Sequence, residues 1–120
     1  MAQAITDFYR KFGYFGGRTG LRFYRLAVAY NAVMTLFMVL IGFITLSASA
    51  TLSVQTFLWS ISFPALWTLA HLLPLLALQA RRMHDLGQSG AAVLIPGAGI
   101  KMFWQKGDSA ENHYGPAPTD

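Results

Sequence analysis

Four side chains able to do chemistry fall within five positions: Arg81, Arg82, His84 and Asp85. On a helix Arg81 and Asp85 stand four apart and Arg82 and Asp85 three apart, so either arginine can meet the carboxylate. Two guanidiniums can grip a phosphate or a lipid headgroup through charge-assisted hydrogen bonds. His84 and Asp85 can serve as a base and the group that orients it. The cluster can also be architectural. The arginines would then snorkel to headgroups, His84 would sit favourably at a helix C-terminus, and Asp85 would satisfy an arginine. No nucleophile or metal partner stands at a diagnostic spacing, so no catalytic residue is assigned and a non-enzymatic role is expected. His71, His84 and His113 are scattered and do not read as a metal site. The absence of cysteine removes disulfides, thiolate ligands and Cys nucleophiles. No phosphate-binding glycine loop and no nucleic-acid motif occurs, so neither a cofactor nor a nucleic-acid partner is expected.

The elements that hold this cluster read from charge. The 120 residues are 54% hydrophobic and only 12% charged, against about 25% charged in a soluble domain. The deficit lies in one block, Leu26 to Ala80, without Asp, Glu, Lys or Arg. About 20 apolar residues cross a hydrocarbon core, so the block can cross twice, over 26–46 and 56–80. The link between them, Ser47 to Gln55, is small and polar. Basic residues, an apolar run and Ala48-Ser49-Ala50 resemble a cleavable signal peptide, but the run is too long and a second follows at once. Pro64 and Pro74 are expected to kink the second span, and Trp59 to mark its outer interface.

Residues 1–25 carry Arg10, Lys11, Arg18, Arg22 and Arg25 against Asp7, with Phe8, Phe12 and Phe15 at helical spacing. That pattern fits a segment lying in the headgroup layer, broken by Gly13, Gly16, Gly17 and Gly20. Basic residues flank both spans on their outer ends while the link has none, so both termini are expected in the cytoplasm. Residues 91–104 are apolar, but Pro96-Gly97 interrupts them. Such a segment is too short to cross and suits a re-entrant or surface position. Residues 105–120 form a polar, turn-rich tail.

Two stretches carry a family resemblance. Arg81-Arg82-Met83-His84-Asp85-Leu86-Gly87-Gln88-Ser89-Gly90 resembles an Arg-Arg-Leu-His-Asp-x-Gly-x-Ser-Gly signature, and Glu111-Asn112-His113-Tyr114-Gly115-Pro116-Ala117-Pro118 resembles a tail signature. Both are similar to the domain-of-unknown-function 805 family, the YhaH-like bacterial inner-membrane proteins. Gly17-Arg18 with Phe23-Tyr24 is similar to that family's segment ahead of its first span. Phe23, Arg25 and His113 depart from the pattern, and Ala91-Ala92 stand where Trp-Trp is frequent. The resemblance implies an inner-membrane location and lends no mechanism.

The expected fold is therefore an all-α membrane protein. It has a two-span helical hairpin, an interfacial N-terminal segment, a central motif over 81–90 and a short third apolar segment, all in one membrane domain. Arg81, Arg82, His84, Asp85 and Arg18 are the candidates for binding an anion or headgroup. Asn112, Tyr114 and Gly115 carry the tail, which is expected to fold back on the motif. Asn31, Thr35 and His71 are polar residues inside the spans, where ionisable groups are costly. The partners expected are membrane lipids, a second copy or a larger membrane protein. Two other readings stand beside the lipid-engaging module: a transporter or channel subunit with a polar seam at His71, and an enzyme acting on a lipid phosphate. Taking Arg25 and Arg81 as equal depths, paired residues of the hairpin should sum to about 106. That places Thr45 by Ser60, Gly42 by Pro64, Met38 by Trp67 and Thr35 by His71.

Overall fold

The computed structural model describes residues 2–49, 51 and 53–119. Ala50, the last residue of the apparent cleavage site, and Leu52, in the link, lie outside the described residues. The described chain is helical: α1 (Ala2–Arg10), α2 (Leu21–Ser47), α3 (Val54–Asp85), a 3-10 turn over Gly90–Leu94, and α4 (Ala98–Trp104).

Two of these helices are long and apolar enough to cross a membrane. α2 has 27 residues and α3 has 32, about 40 and 48 Å at 1.5 Å per residue. Their outward faces are apolar, with Leu36, Phe43, Ile44, Leu66 and Leu69 more than half exposed. Hydrocarbon, not water, suits such a surface. α3 starts on Ser53, whose hydroxyl accepts from the Thr56 backbone N–H at 3.1 Å, a side-chain cap on an otherwise orphaned donor. It stops at Gly87. There Gln88 N–H reaches the Met83 carbonyl and Gly87 N–H the His84 carbonyl, both at 3.0 Å, with φ +69° at the glycine. This is the left-handed helix stop that glycine permits. The third apolar segment breaks at Pro96-Gly97 into the 3-10 turn and the seven-residue α4, about 10 Å long, too short to span.

The chain gathers into two compact units. The middle unit, Ala29–Leu72, holds the inner turns of α2 and α3 running antiparallel. Gly42 lies against the Ser60 carbonyl, 3.9 Å separate its Cβ position from the Pro64 ring, and the Trp67 indole donates to the Thr35 hydroxyl at 3.2 Å. Gly42 thus meets Pro64 as expected, while the Gly42–Ser60 and Thr35–Trp67 pairs sum to 102, one turn from the expected 106. Pro64 has no N–H, and the Ser60 carbonyl one turn earlier is left without its helical donor. The α2 backbone comes close to that carbonyl, because Gly42 has no side chain to hold it off.

The terminal unit, Met1–Val28 with Leu73–Asp120, has its own core. Phe8, Tyr24, Ala27, Leu78, Met83, Leu86, Ala98 and Met102 bury one another. Phe8 thus corrects the interfacial reading of the N-terminal aromatics: it is 1% exposed, while Phe12 and Phe15 are 53% and 44% exposed.

Candidate functional site

The terminal unit is closed around one carboxylate. Arg18 grips Asp85 Oδ1 with Nε at 3.0 Å and Nη2 at 2.9 Å, and Arg82 Nη1 pairs with Oδ2. Arg82 also donates through Nε to the Met102 carbonyl at 3.0 Å, and through Nη2 to that of Gln105. Arg18 donates on to the carbonyls of Ala110 at 2.7 Å, Gly115 at 3.1 Å and Asp108. The Asp85 carbonyl takes the Asp108 backbone N–H at 2.8 Å. These charged side chains are dry: Arg18 is 1% exposed and Arg82 0%. A buried ion pair stands only when its remaining donors are satisfied, and here the tail's backbone does that.

The snorkelling reading of the motif arginines is corrected. Arg81 and Arg82 do not snorkel: both are buried, at 2% and 0% exposure. Of the two arginines on α3, Arg82 takes Asp85. Arg81 points away to the Lys11 carbonyl, 3.4 Å from Nη1. The grip of Arg18 on Asp85, 67 residues away, was not foreseen. Its one signal was Gly17-Arg18, which the resemblance had placed among the family's own residues.

The tail folds back on the motif as expected. Residues 112–115 close a tight turn, with Asn112 and Gly115 exchanging backbone hydrogen bonds at 3.1 and 2.9 Å. Asn112 Nδ2 donates to the His84 carbonyl at 3.0 Å, and Asn112 Oδ1 accepts from Tyr114 N–H at 2.9 Å. That turn lays Tyr114 flat on His84, centroids 3.9 Å apart and planes 2° from parallel. His84 Nδ1 lies 3.0 Å from the Gly17 carbonyl. A carbonyl only accepts, so Nδ1 carries the hydrogen. His84 is therefore oriented by backbone, while Asp85 turns to arginines. The two do not form a base and its orienter.

A stacked aromatic pair contributes roughly 0.5–1.5 kcal/mol beyond burial. Tyr114→Ala should lower the stability of the detergent-solubilised protein by about 1–2 kcal/mol, whereas Tyr114→Phe keeps the stacking face and should melt with the wild type. Thermal unfolding of both variants measures this.

The span residues are placed in the middle unit. Asn31 and His71 are 4% and 7% exposed. His71 Nδ1 is 2.9 Å from the Trp67 carbonyl of its own helix, and its ring stacks on Trp67 at 3.7 Å. Thr35, expected as the hydroxyl partner of His71, engages Trp67.

A family model described as "Protein of unknown function (DUF805)" matches residues 12–116. The chain belongs to this family. The match runs from just after α1 to the tail turn, so Arg18, the 81–90 motif and the 112–115 turn all lie within it. No curated protein and no solved structure matches the chain. For this DUF805 member the three sequence stretches that suggested the family are the ones that meet at Asp85 and His84.

Proposed function

We propose that this DUF805 protein is a two-span bacterial inner-membrane protein with both termini in the cytoplasm. It acts as a non-enzymatic module that holds its terminal unit against anionic lipid headgroups. The observation that carries this is the closed state of the motif. Arg18, Arg82 and Asp85 spend their charges on one another and on tail carbonyls, which suits a latch. Charge supports the orientation: Arg10, Lys11, Arg18, Arg22, Arg25, Arg81 and Arg82 flank the apolar block and the link has none. The latch also presents an apolar edge, for Leu94, Ile95, Ile100 and Trp104 are 84%, 61%, 69% and 71% exposed. Lys101 lies among them, giving the mixture that seats a surface segment in the headgroup layer. A partner protein could cover the same edge, but the neighbouring cations favour lipid.

Two measurements test this. In nanodiscs containing phosphatidylglycerol, bromine-labelled acyl chains should quench Trp104 most strongly when the label lies near the headgroup. Reporter fusions after Ser49 and after Thr119 should report periplasm and cytoplasm respectively. A Trp104 untouched by every label, or a periplasmic Thr119, would sink the proposal.

A further inference from the structure

Arg81 stands apart from the other two motif guanidiniums. Arg18 and Arg82 each donate through Nε, Nη1 and Nη2. Arg81 is 2% exposed, yet among the described residues its Nε has no partner and its guanidinium makes one hydrogen bond, to the Lys11 carbonyl, 3.4 Å long. A guanidinium carries five N–H donors, and burying a cation with its donors unmet is costly. Asp85 cannot relieve it, being taken by Arg18 and Arg82. The cluster of Arg18, Arg81, Arg82 and Asp85 sums to 3 − 1 = +2.

This guanidinium forms part of the wall of a cavity of about 210 Å³. One side of the cavity is apolar, with Phe8, Phe23, Ala27 and Leu78. The lining also includes Lys11 and Asp7, paired at 3.2 Å and about half exposed. An exposed pair of that kind contributes little, so Lys11 can turn to a better anion. Arg81 also directly follows the charge-free block at Ala80, which puts the cavity where an apolar span meets charge.

We infer that this cavity binds a phosphate oxyanion, with Arg81 and Lys11 as its donors and the apolar wall receiving the tail of a phospholipid. A guanidinium offers two parallel N–H groups to a phosphate, which supplies Arg81 with the acceptors it lacks. The inference builds on the reading that the terminal unit lies on headgroups, and adds a discrete site with its own residues.

The test uses the full chain in a nonionic detergent. Short-chain phosphatidylglycerol, inorganic phosphate and short-chain diacylglycerol are titrated separately, with native mass spectrometry counting bound molecules. Phosphatidylglycerol should bind at one per chain. Lys11→Glu should weaken it about tenfold, the loss of one charge-assisted hydrogen bond, and Asp7→Asn should tighten it. Both positions are half exposed, so these variants keep the fold. Arg81→Lys, which keeps the charge and loses the fork, should also weaken binding. Inorganic phosphate binding as tightly as the lipid, with the same response to Lys11→Glu, supports the oxyanion site and assigns it to a free anion. Diacylglycerol binding as well as phosphatidylglycerol, or affinities indifferent to Lys11→Glu and Asp7→Asn, overturns the inference. So does a cavity that retains neither lipid nor phosphate. Trp104 quenching in nanodiscs is read in the same variants: if it persists while the titration fails, the site is lost and the headgroup reading survives.

Discussion

Asp85→Ala removes the anion that two buried guanidiniums share, and the terminal unit should unfold with it. Removing one partner of a buried ion pair costs about 3–5 kcal/mol, because the remaining charge is left without compensation. Here Arg18 and Arg82, 1% and 0% exposed, would both be stranded. A net stability of about 5–15 kcal/mol leaves little after that loss. The expected result in detergent is a large drop in melting temperature and protease-sensitive cleavage between 105 and 118. Arg18→Gln combined with Asp85→Asn should be less damaging than the sum of the single changes, since contacting residues do not add. An Asp85→Ala protein that melts with the wild type would show that the three groups do not hold the unit together.

Gly42→Ala is expected to part the two helices of the middle unit. An added Cβ would fall on the Ser60 carbonyl oxygen. Both sides of that contact are backbone, so no rotamer change relieves it. Overpacking a core costs typically about 1–3 kcal/mol, and with no side chain able to yield, the upper end is expected. The Trp67 bond to Thr35 should be lost as the helices separate, changing tryptophan fluorescence. Val39→Ala, at a position 49% exposed, is the control and should stay close to wild type. Wild-type melting and fluorescence in Gly42→Ala would mean that the backbones do not meet there.

Local rules made much of this molecule legible. A charge-free block announces apolar helices without any knowledge of their partners. Gly87 announces a stop, and Pro96-Gly97 cuts the third segment because proline and glycine act on their own backbone. The tail's return was legible only through the family resemblance, since no local rule joins Asn112 to His84. What stayed hidden depends on distance along the chain. Arg18 stood among the anion-binding candidates through the family-like Gly17-Arg18, but nothing local tied it to Asp85, 67 residues away. Gly107 was equally silent, although a Cβ there would strike the Asp85 carboxylate. The register was legible only in part, for a different reason: Gly42 meets Pro64 as counted, but Thr35 meets Trp67 and not His71. Counting rise from Arg25 and Arg81 treats the helices as plain rods, while the actual contact forms at the carbonyl that Pro64 leaves open.

Five of the carbonyls that receive Arg18 and Arg82, those of Met102, Gln105, Asp108, Ala110 and Gly115, lie downstream of both guanidiniums. A chain made at about 5–20 residues per second needs roughly 1.5 to 6 seconds to add the thirty residues from Leu86 to Gly115. During that interval Asp85 has Arg82 and Arg18 beside it and Arg82 has the Thr19 carbonyl, but the tail's acceptors do not yet exist. The end of α3 must stay wet until they emerge. Expulsion of water from around the three charges is thus a late event in biosynthesis, timed by the arrival of the tail and not by insertion of the apolar helices.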